Sequence, residues 1–191
     1  MWPWEHAALG YLLISVATRL VWARPPDDAA ALLAVFGSQV PDLVDKPLGW
    51  VFEVLPSGVS LGHSLFVATA VCLCVWVAGV ARDRRPAALA FCLGYLSHLP
   101  ADILYPVLSG GRPHWWVTLW PFVVRNARGD TPAVAYASAL FADFLAALTG
   151  SGGEVSTLLV VEVVLVVGTL AVWLRDGHPG LPPYRRTPEP S

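Results

Sequence analysis

The sequence predicts an all-α protein, a polytopic transmembrane helical bundle of about four full spans plus two short or re-entrant helices. Apolar residues make up 55% of the chain and charged residues only 14%, against about 25% charged in a soluble domain. Mean hydropathy is +0.58. The apolar residues come in runs of span length, and charges gather in the turns between them, as in Arg82-Asp83-Arg84-Arg85. A net charge of −2 offers no footing for nucleic acid. Residues 1–174 read as one integral-membrane domain, and the Pro-rich tail 175–191 as disordered.

His6–Trp22 is the first span. No Lys or Arg precedes it, unlike the basic start of a cleaved signal peptide, so it is expected to be retained. Pro25-Pro26-Asp27-Asp28 breaks the chain, and an Asp before Ala29 is a helix-start signal. Ala29–Val40 is apolar, but its 12 residues rise only about 18 Å against a hydrocarbon core of about 30 Å. It is expected to be a partial or re-entrant helix ending at Pro41-Asp42-Leu43-Val44-Asp45. Lys46–Ser60 reads as a loop with at most a short interfacial helix near Trp50. Leu61–Ala81 is the second span. Pro86, in the first-turn position proline favours, opens the third, Pro86–Leu108. Trp115–Val124 is a second short apolar segment, which would pair with Ala29–Val40 in an inverted arrangement. Thr131–Leu148 is helical, with Thr131 as cap and Pro132 in the first turn. Glu154–Leu174 is the last span. Cys72, Cys74 and Cys92 lie inside apolar runs and read as small buried hydrophobes rather than a disulfide framework.

Basic residues give an orientation. With Arg19, Arg24, Arg82, Arg84, Arg85, Arg125, Arg128, Arg175, Arg185 and Arg186 in the cytoplasm, only Lys46 and Arg112 are left outside, a 10 to 2 split that fits the positive-inside rule. The C-terminus is then cytoplasmic in a plasma-membrane protein. This requires both short segments to cross or nearly cross.

The polar residues that matter lie where membrane proteins rarely put them. Within the third span, His98 and Asp102 are four apart and share a helix face. Counted from the cytoplasmic ends at about 1.5 Å per residue, His98, Asp102, His63 and His6 all fall about 18–28 Å up. Asp42 and Asp45 end the short segment rising from the same side. Imidazoles with several carboxylates suit Zn²⁺ or a similar first-row cation, and a spare carboxylate could activate water for hydrolysis. The alternative is a polar network tying helices together. Glu162, mid-span in the last helix, is expected to pair with a neighbouring helix or face a wet cavity. Asp143 is a further ligand or a packing residue. Trp115, Trp116 and Trp120 read as an interfacial belt.

Four pieces in order, Trp4-Glu5-His6, Gly37 to Asp45, Gly62-His63-Ser64-Leu65 and Gly94 to Asp102, with a later Trp120-Pro121-Phe122, resemble the YdjM-like family of membrane-bound metal-dependent hydrolases. The resemblance covers about residues 2–123. The ligand order is also similar to zinc-dependent phospholipase C. The resemblance implies His6, Asp42, His63, His98 and Asp102 as metal ligands, with Asp45 as ligand or general base. A His-Arg pair that many family members carry is replaced here by Gly58 and Val59, and Pro100 between His98 and Asp102 is expected to kink the helix. Arg112 and His114 are candidate phosphate-binding residues on the same outer loop.

Together these predict a metal-dependent hydrolase, its site near the non-cytoplasmic face, holding one or possibly two divalent metals, zinc first. The substrate expected is a phosphoester of a lipid or lipid-linked molecule among membrane lipids, with Asp45 as the catalytic base. Two other readings remain open: a transporter or channel using the same residues as a cation path, and a non-catalytic scaffold.

Overall fold

Prolines and short polar side chains mark where the helices begin. The computed structural model describes residues 1–125, 129, 131–149 and 156–181. Among them are six α-helices and no strand. α1 (Pro3–Trp22) opens on proline and stops at Ala23, whose φ of 53° is left-handed. α2 (Asp28–Lys46) is capped by Asp27, which accepts from Ala30 N at 2.9 Å. A wider π-type turn, Pro47–Val51, follows. α3 (Leu65–Ala81) is capped by Ser64, and α4 (Arg85–Leu104) has Pro86 in its first turn. Two single 3₁₀ turns, Tyr105–Ser109 and Trp115–Thr118, lead to α5 (Ala133–Thr149). α6 (Thr157–Arg175) is capped by Ser156, which accepts from Leu159 N at 3.0 Å.

Two of these helices, not about four, are long and apolar enough to cross a membrane: the α4 segment Arg85–Leu108 and α6. α1 has the length, but Glu5, His6 and Arg19 sit within it. α3 and α5 have 17 residues each, about 26 Å of rise, a little short of the hydrocarbon core. α6 turns Val164, Val167 and Leu170 outward, as a lipid-facing helix does. α2 does not stop at Val40; it runs through Pro41 to Lys46, at the cost of one hydrogen bond to the Gly37 carbonyl. Trp115–Val124 is no short span: prolines at 113 and 121 leave room for one turn, and the inverted pairing with α2 disappears.

α2 and α4 form the most extensive contact in the fold, and glycine makes it possible. A β-carbon on Gly94 would lie 2.1 Å from the Ala34 carbonyl oxygen, and one on Gly37 would lie 2.5 Å from that of Phe91. No other residue lets two backbones come this close. Ile14, Ala30, Ala34 and Ala90 pack beneath this crossing and join α1 to the pair. α3 adds Ala68 and Cys72 against Cys92, Tyr95 and Leu99 of α4. The three cysteines are free; Cys72 and Cys92 are buried as expected, but Cys74 faces outward.

α1, α3 and α6 run away from the His/Asp end of the bundle, and α2 and α4 run toward it. Arg19, Arg24, Arg82, Arg84, Arg85 and Arg175 therefore share the opposite end. Arg125 does not join them: its guanidinium lies 5.3 Å over the Trp116 ring, at the end of Lys46 and Arg112. Arg128, Arg185 and Arg186 lie outside the described residues, as does most of the tail expected to be disordered. The tail's first residues are ordered. Asp176 accepts hydrogen bonds from Tyr11 and Ser15 of α1, each 2.7 Å, and pairs with Arg19. Gly180 N donates to Asp28 at 2.8 Å. These contacts pin the C-terminal end of α6 to α1 and α2.

Candidate metal centre

Four side chains from three parts of the chain converge at the open end of the bundle. Asp42 lies one turn before the end of α2, His63 sits in the loop before α3, and His98 and Asp102 lie on α4; one ligand atom of each falls within 4.8 Å of all the others. The proline at 100 does not spoil the α4 pair, since His98 Nε2 and Asp102 Oδ2 are 3.3 Å apart. The close crossing at Gly94 brings the Ser38 carbonyl to 2.7 Å from His98 Nδ1. A carbonyl only accepts, so Nδ1 carries the proton and Nε2 presents its lone pair. On the other side, His63 Nδ1 lies 2.8 Å from Asp45 Oδ2, which fixes the same tautomer.

In their neutral forms the two imidazoles turn unprotonated Nε2 atoms toward each other across 3.1 Å, a gap that a shared proton or a metal ion fills. Facing lone pairs in a buried site call for a cation between them. Asp102 Oδ2 is 3.3 Å from His63 Nε2, and Asp42 Oδ1 is 3.5 Å and 3.7 Å from the two nitrogens. A tetrahedral zinc with ligands at about 2.0–2.1 Å needs ligand atoms about 3.3–3.4 Å apart. The donor set and its spacing fit such an ion, and this group could hold one. Burial alone would push the His63 imidazole down; the carboxylates of Asp102 and Asp45 outweigh it and raise it to about 9. The site attracts positive charge of either kind, proton or metal.

Asp45 does not face the cluster. Its two oxygens take four donors: Ser60 N at 2.6 Å, Gly62 N at 2.7 Å, His63 N at 3.1 Å and His63 Nδ1. It is fully buried and folds the 57–63 loop around itself, with Gly62 O accepting from Tyr95 at 2.8 Å. Against the expectation of a general base, its geometry is that of a carboxylate that orients His63: Oδ2 takes three of these donors, Oδ1 takes Gly62 N, and the fully buried side chain does not line the cavity onto which Asp42 and Asp102 open. Asp45→Asn is expected to weaken metal binding by about 10–100-fold, the effect of losing such a partner. A competition titration against a chelator checks this; unchanged affinity with lost turnover would restore the general base.

His6 is brought alongside rather than in. Its ring stacks on His98 at 3.6 Å between centroids, and its Nε2 is 3.2 Å from Asp102 Oδ1 but poorly aligned for a hydrogen bond, so both its nitrogens are buried without a partner. The Met1 amino group also contacts Asp102 Oδ1, at 2.6 Å. Glu162 meets α1: it accepts from Trp4 Nε1 at 3.3 Å.

Asp42 and Asp102 open onto a cavity of about 680 Å³. α5 lines one wall along its length, from Tyr136 beside Trp50 to Ala147, and Trp2 and Trp4, which pack against Phe144 of α5, line it as well. His114 and Asp143 reach the cavity; Arg112 is exposed and does not. Of the tryptophan belt, Trp115 is exposed, whereas Trp116 lines the cavity and the Trp120 carbonyl accepts from Ser64. Sequence reasoning missed Lys46, which lines the cavity and pairs with Asp42 Oδ2. The i, i+4 spacing of Asp42 and Lys46 was its signal.

Three of the four sequence pieces that carry the family resemblance deliver the cluster, and the first sets His6 against it. The sequence matches the model of the YdjM inner membrane protein family over residues 1–178. The chain belongs to this family. The match runs beyond residue 123, through α5 and α6, so in this YdjM-family protein the helices that wall the cavity are part of the family's pattern too. No curated protein and no solved structure matches the chain.

Proposed function

We propose that this YdjM-family protein is a membrane-embedded metal-dependent hydrolase acting on a phosphoester of a lipid or lipid-linked substrate. The observation that carries the reading is the pair of Nε2 atoms facing each other across 3.1 Å, flanked by two carboxylate oxygens at the wall of a large cavity. A zinc ion there supplies Lewis-acid polarisation of a phosphoryl oxygen and an activated water. The protein's own part is to hold that geometry. Ser38 and Asp45 fix the histidine tautomers, and Asp42 and Asp102 balance the charge.

The cavity supports an amphipathic substrate. Asp42, Lys46, Asp102 and His114 give the cavity lining charged and polar groups, and Leu140, Phe144 and Leu158 give it apolar ones. Closure of the other side favours a pocket over a cation path, because fully buried Ile14, Ala30, Ala34 and Ala90 fill the bundle below the cluster. The segregation of arginines to that far end supports placing it, with the C-terminus, in the cytoplasm.

The test is release of phosphate or headgroup from a panel of phospholipids by protein reconstituted with zinc. Wild type is expected to turn over, and chelator-treated protein to lose turnover until zinc is returned. Metal-dependent cation flux without hydrolysis would favour the transporter; neither activity would favour a scaffold.

A further inference from the structure

We infer that Lys46 is the residue that holds the substrate's phosphate beside the metal centre, an inference that rests on the hydrolase reading above. Asp42 divides its two oxygens: Oδ1 faces the histidine nitrogens, and Oδ2 pairs with Lys46 Nζ. The ammonium is therefore anchored one carboxylate away from the ligand cluster. Its side chain is 32% exposed, and the exposed part lines the cavity. An ammonium has three donors, and Asp42 occupies one of them. The others are free to meet an oxyanion entering from the cavity.

A second contact holds the lysine there. Its Nζ lies 5.7 Å from the centroid of the Trp50 ring, within cation–π range. Trp50 takes that position because residue 58 is glycine: a β-carbon at Gly58 would lie 2.2 Å from Trp50 Nε1. The π-type turn Pro47–Val51 after α2 carries Trp50 onto this wall. Lys46 and His114 are the basic side chains among the described residues lining the cavity, and Lys46 is the one tied to the cluster. Fixed charge between the metal ligands and the apolar wall suits a phosphate whose ester carries an apolar group.

The experiment compares wild type, Lys46→Met and Lys46→Arg, each loaded with zinc in detergent and first assayed for bound metal. Binding is then measured by calorimetry with two probes, inorganic phosphate and short-chain phosphatidic acid. All three proteins are expected to carry the same zinc. Lys46→Met is expected to bind both probes about 10- to 100-fold more weakly, the usual effect of deleting a charge-assisted hydrogen bond, while Lys46→Arg stays near wild type. Tighter binding of phosphatidic acid than of phosphate assigns the anion to a lipid headgroup; equal binding assigns it to free phosphate. Unchanged affinity in Lys46→Met, no phosphate binding by wild type, or loss of zinc from Lys46→Met would overturn the assignment, the last because Lys46 would then only position Asp42. None of these readouts needs turnover, so failure of the hydrolase reading is seen separately in the lipid panel.

Discussion

Purified in detergent, wild-type protein is expected to carry about one zinc per chain and the His98→Ala protein none that survives gel filtration. The reason is the economy of the site. It offers four ligand atoms, and the imidazole removed is one whose tautomer the backbone has already fixed through Ser38. Losing an outer partner of a ligand costs about 10–100-fold in affinity; losing the ligand itself costs more. His98 also stacks on His6, so its removal leaves a gap in the bundle, and the variant is accepted only if it elutes as a single species with wild-type helicity. His63→Ala removes a ligand on a loop and leaves that stack alone, so it should lose metal too; it also strips buried Asp45 of one partner, so it is accepted on the same criterion. Elemental analysis of both, beside the double variant, decides the matter. Full occupancy in the double variant would show that the ligands lie elsewhere.

The ligands were legible because their constraints are local or additive. His98 and Asp102 share a helix face by spacing alone, and rise per residue puts His63 near their level. The role of Asp45 was not legible. Its four donors come from residues 60–63, and nothing in the sequence around position 45 says that a loop 15 residues on will close over it. Lys46 was hidden by Pro41, which reads as a helix end, whereas α2 carries the lysine on its last turn and pairs it with Asp42. The span count failed for a different reason. Run length reports apolarity alone, whereas α1 carries Glu5, His6 and Arg19 within its length and α3 is only 17 residues long. Close backbone approach was equally silent: Gly94 sets where His98 finds its carbonyl, yet a glycine in an apolar helix looks the same wherever it packs.

The thermal stability of the metal-free and zinc-loaded proteins is expected to diverge as pH rises from 6.5 to 9. In the metal-free fold, His63 is raised from its ordinary 6.5 to about 9, against the burial that would lower it, by the carboxylates of Asp102 and Asp45. A histidine raised in the folded state contributes stability that is complete below its unfolded value and disappears as pH climbs through its folded one. The metal-free protein should thus lose up to about 3 kcal/mol across this window, in the full shift's worth of protonation energy. Zinc requires the deprotonated imidazole, so below pH 9 it must displace that proton, and its affinity should rise about tenfold per pH unit. The stabilisation that bound zinc confers grows by about 1.4 kcal/mol per unit in consequence, which offsets the loss of the proton's contribution. For this group the loaded protein's stability is flat while the metal-free protein's falls. Titrating residues away from the cluster move both forms alike and cancel in the difference. Melting temperatures in detergent at pH 6.5, 7.5 and 8.5, at fixed free zinc and with chelator, should show a gap that widens at each step. A gap that stays constant or narrows would mean that zinc and the His63 proton do not compete for the same nitrogen.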